Sequence, residues 1–317
     1  FIQLNPTLTI GTGHQFLTDE LVFTIGGQTQ RLPIEIWLLN AYFYQDTILE
    51  CTGGTYTFPS DTMIVVDGIV LVPEGCTCNI LAGTQMHFTP RRDSLYNPDS
   101  QIIVGGTLNV QGTPGKPAIF THLRMGEDYR VAPGDWLGIR FAGVSMGNSI
   151  DHAIIQNSAI GVNLDSMVPT TQTKLVLTNS IIRHSSYYGI VATGRAQWLD
   201  DQTGPLSLDA SNVLVYGCGQ NCVAALIGGR YRFGNCTFAD NQWHIERGST
   251  VFAYSEFYRY EENGQQFAEA FPGSLQLVNC IVWGGGEEEV ILDTRDNSIP
   301  VVSNNLLKTE LENIGGV

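Results

Sequence analysis

Two six-residue stretches, Ile150-Asp-His-Ala-Ile-Ile155 and Leu177-Thr-Asn-Ser-Ile-Ile182, decide how this chain folds. Both read apolar, any residue, two small or polar residues, then two apolar ones. The same phrase returns as Phe233-Gly-Asn-Cys-Thr-Phe238, Leu277-Val-Asn-Cys-Ile-Val282 and Val302-Ser-Asn-Asn-Leu-Leu307, with a looser copy at Ala210-Ser-Asn-Val-Leu214. Taking the fourth position as a marker (Ala153, Ser180, Asn212, Cys236, Cys280, Asn305), the separations are 27, 32, 24, 44 and 25 residues. A short all-strand unit of this length cannot bury its own apolar face, so neighbouring units must stack. Stacked coil on coil, equivalent positions lie about 4.8 Å apart and share one core. The expected fold is therefore all-β, a single parallel β-helix, right-handed because parallel crossovers take that hand.

Asparagine recurs at the third position, as Asn179, Asn235, Asn279 and Asn304. Asparagine tolerates the left-handed conformation and bonds neighbouring backbone, so a ladder of asparagines at one turn is expected. His152 stands in the equivalent place. Ile155, Ile182 and Leu307 should point into one stacked core. A leucine-rich repeat does not fit, because its fixed leucine spacing and a following helical period are missing.

The 44-residue gap reads as one coil carrying an excursion, since Tyr254–Ala270 is polar and aromatic without a period of two. Solenoid insertions project on one face and often bind there. The insertion is expected over about 241–274. Its rings Phe252, Tyr254, Phe257, Tyr258, Tyr260, Phe267 and Phe271 are the candidate contacts to a partner or carbohydrate, with a fold back onto the sheet flank as the alternative. Upstream of residue 150 the repeat weakens. Short apolar runs such as Met63–Val66, Ile69–Val72 and Ile102–Val104 are separated by Asp-Gly, Pro-Glu-Gly and Gly-Gly turns. Residues 61–317 are thus assigned to the helix, and residues 1–60 to a β-rich cap or entry segment, because terminal repeats are atypical.

Sixteen Lys and Arg against 31 Asp and Glu leave a formal charge of −15. That field repels phosphate backbones, so nucleic acid is not an expected partner. No apolar run reaches the roughly 18 residues of a membrane span. The seven cysteines lack zinc spacing, which points to buried or disulfide-linked residues. Cys236 and Cys280 occupy matching repeat positions and should meet, and Cys218 with Cys222 is a second candidate pair. An odd number leaves at least one free thiol.

The phrases Ile69-Val-Leu-Val-Pro-Glu-Gly75, Leu81-Ala-Gly-Thr-Gln-Met-His-Phe88, Gly106-Thr-Leu-Asn-Val-Gln-Gly-Thr-Pro-Gly-Lys-Pro-Ala-Ile-Phe-Thr121, Pro133-Gly-Asp-Trp-Leu-Gly-Ile-Arg-Phe141 and Asn279-Cys-Ile-Val-Trp-Gly284 follow one another in a familiar order. Over residues 60–310 the chain resembles a bacterial right-handed β-helix family of secreted or lipid-anchored outer-membrane surface proteins of Gram-negative bacteria. The resemblance implies the fold and an exported, cell-surface location, and it implies no chemistry. The lipidated cysteine that such proteins carry is not in this sequence, so an anchor upstream of residue 1 is implied by the resemblance alone.

Enzyme signatures are weak. Glycoside hydrolysis needs carboxylates converging on one face. The pair Asp200-Asp201 sits in an acidic turn, and strand neighbours point to opposite faces. Tyr44-Gln-Asp-Thr-Ile48 has the Gln-Asp-Thr of pectin esterases without their companion acid and arginine. Arg183-His184 is a basic pair at a turn with no acidic ladder, read as a satisfied turn histidine. Glu287-Glu-Glu289 lacks the alternation of a calcium loop and reads as a charged turn. Gly11-Thr-Gly13 and Gly284-Gly-Gly286 lack the Lys-Ser/Thr of a phosphate loop. The expectation is a non-catalytic cell-surface scaffold or interaction subunit, associated with an outer-membrane assembly and without cofactor. A carbohydrate-binding module and a carbohydrate-active enzyme are the alternatives.

Overall fold

Each repeat phrase proves to be one corner of a three-stranded coil. The computed structural model describes residues 13–90, 99–195, 203–240, 247–296 and 298–311. In it the chain winds through parallel strands that form three ladders. The first contains strands 85–88, 118–122, 153–156, 181–185, 214–218, 237–240 and 281–284; the second 101–104, 138–141, 160–164, 188–193, 223–226, 252–255 and 290–293. These two are joined as one 17-stranded sheet, and the third ladder, from Thr55–Phe58 to Val301–Ser303, is a nine-stranded sheet.

The phrase Leu177–Ile182 runs from the third ladder, through Asn179, into the first. Asn179, Asn235, Asn279 and Asn304 have φ of 51°, 53°, 56° and 56°, and His152 and Asn212 have 49° and 54°. The side chains are stacked as expected: Asn179 Nδ2 donates to Asp151 Oδ1 at 2.7 Å, Asn212 to Asn179 Oδ1 at 2.8 Å, and Asn279 to Asn235 Oδ1 at 3.2 Å. A left-handed backbone turn thus repeats in each coil from His152 to Asn304, with amides bonded along the axis at the Asn179–Asn212 and Asn235–Asn279 steps.

Inside, equivalent residues form columns. In the first ladder Met86, Phe120, Ile155, Ile182, Val215, Phe238, Val282 and Leu307 are successive partners. All but Leu307 are essentially inaccessible, and Leu307 packs against the same core. Each such burial contributes about 1.5–3 kcal/mol, so the stack is the principal source of stability.

The 44-residue gap is one coil with an excursion, since Phe233 pairs directly with Leu277 and Phe238 with Val282. The excursion is an antiparallel hairpin, Phe257–Glu262 with Gln265–Ala270. The expected span of 241–274 is corrected: Phe252–Ser255 is a regular second-ladder strand, and residues 241–246 lie outside the described set. At the other end, Gly13–Ile25 and Gln28–Asn40 form a long antiparallel hairpin. Tyr42–Ile48 already ladders in parallel with Met63–Val72, and Thr55–Phe58 with Thr77–Leu81. The stacked coils therefore begin near Tyr42 rather than at 61. Residues 1–12 and Asp200-Asp201 lie outside the described residues. No helix among the described residues is long and apolar enough to cross a membrane.

The cysteines are partly as expected. Cys236 and Cys280 meet on adjacent coils, with the Cys236 N–H 3.4 Å from Cys280 Sγ, but both remain thiols. Cys218 and Cys222 are likewise buried and free. The bridge is instead Cys51–Cys76, with Cα atoms 5.8 Å apart, joining the first coils where the repeat is least regular. Burial pushes the Cys78 thiol up to about 12.

Candidate binding surfaces

The aromatic residues of the excursion separate into two groups. Phe252 and Tyr254 continue the second-ladder columns, in register with Val223 and Ala225, and are 0% exposed. Phe271 is 3% exposed at the hairpin's foot. These three are packing residues, and their assignment as contacts is corrected: the period-two alternation of Phe252-Ala-Tyr-Ser255 turns both rings inward.

Tyr258, Tyr260 and Phe267 share one face of the hairpin. Tyr260 and Phe267 are cross-strand partners with ring centroids 5.4 Å apart, and Tyr258 stacks on Tyr260 at 5.5 Å. Tyr260 is 40% and Phe267 39% exposed. The Arg195 guanidinium lies 4.9 Å from the Tyr258 ring centroid, so the stack is covered at its inner end and open at its outer end. Phe257 is half-buried, with Arg259 over its ring at 5.0 Å. An open hollow of about 400 Å³ is lined by Arg259, Tyr260, Glu261, Gln266, Phe267 and Ala268.

The hairpin's foot is rigidly held. Glu256, fully buried, accepts hydrogen bonds from Tyr254 Oη, Ser298 Oγ, and the backbone and Nε of Arg295, at 2.8, 2.5, 2.8 and 3.1 Å. Arg259 NH2 pairs with Asp293 Oδ1 at 2.9 Å, and that guanidinium holds the Asp293 carboxyl below the usual carboxylate range. The turn is Asn263-Gly264, with φ of 52° and 76°. Asn-Gly flanked by strand-forming residues is the strongest short-range hairpin signal, and it was present in the sequence.

A second surface lies on the outer face of the first ladder. Gln156 Nε2 donates to Thr121 Oγ1 at 3.2 Å, while Arg183 Nε donates to Gln156 Oε1 at 2.8 Å and its NH1 to Tyr216 Oη at 2.9 Å. Arg183 is therefore a strand residue facing outward, half-buried, and not part of a turn. His184, beside it, is buried with φ 53°. A loop over residues 123–135 walls one end of this row, enclosing an open cavity of about 230 Å³ with His87, His122, Arg124, Arg130 and Gln156 among its lining. Two devices hold the wall. Trp136 stacks on Phe88 at 3.9 Å inside the core, and Asn157 Nδ2 donates to the carbonyls of Arg130 and Ala132 at 3.1 and 2.8 Å. His122 Nδ1 lies 3.2 Å from Asp135 Oδ2, both nearly inaccessible. Nothing in the sequence linked Arg183, Gln156 and Tyr216, which stand 27 and 33 residues apart and meet only through the coil register.

Other sequence candidates separate clearly. Glu289 is not a solvated turn residue: it is 0% exposed and paired with Arg247. The Gln45-Asp46-Thr47 stretch lies on the first coil at a register shift. Among the described residues no three His, Cys, Asp or Glu side chains cluster as a metal centre would require. Compared with protein-family models, curated proteins and solved structures, the chain matches none.

Proposed function

We propose that this protein is a non-catalytic cell-surface scaffold, a right-handed parallel β-helix that presents the aromatic hairpin to another protein subunit of an outer-membrane assembly. The observation carrying the reading is the stacked row Tyr258, Tyr260 and Phe267 on a hairpin beyond the core, with Tyr260 and Phe267 open to solvent. Aromatic rings supply large contact area at low entropic cost and dominate binding hot spots. The buried foot at Glu256 holds them in place before any partner arrives, which lowers the ordering cost of association. The right hand follows from the crossover preference of parallel strands. The Cys51–Cys76 bridge suits an oxidising compartment, in keeping with export. The surface location rests on the family resemblance, as does a lipid anchor preceding residue 1. Carbohydrate is the second reading, because a flat row of rings also stacks on sugar faces.

The test is association in membranes of the native source, comparing the protein with its Tyr258→Ala/Tyr260→Ala variant. A partner retained by the first and lost by the second, at unchanged melting temperature, supports the reading. A lowered melting temperature with all association intact makes the hairpin a packing element. Retention on neutral glycan resin, abolished by the same substitutions, selects the carbohydrate reading.

A further inference from the structure

The outer face of the first ladder has a chemistry distinct from the hairpin's. Arg183 is bonded to two neutral groups, Gln156 Oε1 and Tyr216 Oη, and makes no ion pair with a carboxylate among the described residues. The chain carries a net charge of −15, yet this half-buried guanidinium has only neutral hydrogen-bond partners among the described residues. Its fork is also fixed in direction, held from both sides by coils in register. A planar guanidinium oriented in this way is a receptor for an oxyanion, which it can bind through two parallel hydrogen bonds.

Arg130 adds a second cation from the overhanging wall. Its contact with Glu127 is 3.7 Å long, with the two side chains 74% and 90% exposed, so solvent screens the pair and it yields readily to a ligand. Beside the polar row runs an apolar one: Ile119, Ile154, Ile181 and Leu214 are successive partners, each half-buried. The surface therefore offers hydrogen-bonding groups and apolar groups in two parallel rows, repeating at the coil spacing of about 4.8 Å. A chain of pyranose rings has this double character, with carbon–hydrogen faces and hydroxyl edges.

We propose that this strip binds a glycan bearing a single carboxylate, with the carboxylate on Arg183 and the sugar hydroxyls toward Gln156 and Tyr216. The restriction to one charge follows from the net charge of −15, which repels a polyanion while a single pair with Arg183 still forms.

Isothermal titration calorimetry with the whole chain tests this, using a sialylated trisaccharide and a uronate-terminated oligosaccharide as probes. Their neutral counterparts and a capped peptide with a free C-terminal carboxylate serve as comparisons. We expect binding of at least one acidic glycan, weakened about 10-fold or more by Arg183→Gln, the loss of one charge-assisted contact. Arg130→Gln, at an exposed position, is expected to weaken it about threefold without touching the core. No heat with either acidic probe, equal affinity for the neutral glycan, or an Arg183→Gln variant of unchanged melting temperature and unchanged affinity overturns the proposal. Equal affinity for the peptide overturns its glycan assignment. Tyr258→Ala/Tyr260→Ala leaves this binding intact, which separates the site from the hairpin.

Discussion

Replacing Glu289 by Gln tests how the last coils are held together. Arg247 NH2 donates to both Glu289 oxygens at 2.6 Å, with side-chain exposures of 2% and 0%. The same oxygens accept the backbone N–H groups of Gly286 and Val251 at 2.6 and 3.0 Å. Glu289→Gln leaves the guanidinium buried with no other ion-pair partner among the described residues, and removing one member of a buried pair costs about 3–5 kcal/mol. Arg247→Met should cost less, because the carboxylate keeps its two backbone donors. In Arg247→Met/Glu289→Gln both charges are gone, and the glutamine oxygen can still accept a backbone N–H. The double variant should therefore be more stable than the two single losses added together, by a coupling of about 0.5–3 kcal/mol. Urea denaturation gives the global values. Amide exchange at Phe252–Ser255 and Val290–Asp293 shows whether loss begins in these coils, since a solenoid can fray from one end. A Glu289→Gln loss below about 1 kcal/mol, or strictly additive single effects, would refute the buried-pair account.

Further tests address the coil, the turn and pH. Ile182→Asp places an unpaired carboxylate in the column between Ile155 and Val215 and should abolish soluble folded protein, read by expression and circular dichroism. Asn279→Gly keeps the left-handed turn while losing the bond to Asn235, and Asn279→Ala adds roughly 1 kcal/mol of backbone strain, so the alanine variant should melt lower. Reduction of Cys51–Cys76, spanning 25 residues, should cost about 3 kcal/mol by loop entropy; a melting temperature unchanged by reductant argues against it. Lys174 is fully buried, its Nζ donating to the carbonyls of Ala142 and Ser145 at 2.5 and 3.3 Å. Burial lowers its pKa to about 8, partly opposed by Asp165. The folded state thus loses this proton before the unfolded state does. Stability should rise between pH 8 and about 10.5, by up to about 3 kcal/mol, relative to Lys174→Met, whose difference from the parent isolates this group from other titrations.

What the sequence determined by itself was the coil. The recurring phrase around Asn179, Asn235, Asn279 and Asn304 encodes a left-handed corner followed by an inward apolar residue, and both properties belong to short segments. The excursion was legible too, since a break in the period shows without coordinates. Its dissection into core and surface was not, because Phe252 and Tyr254 differ from Tyr260 and Phe267 only in which ladder they join. The Cys51–Cys76 bridge, the burial of Glu289 against Arg247, and the row of Gln156, Arg183 and Tyr216 were decided by tertiary structure alone. Each depends on which residue of one coil falls beside which residue of the next. Unequal coil lengths set that register, and repeat spacing alone does not specify it.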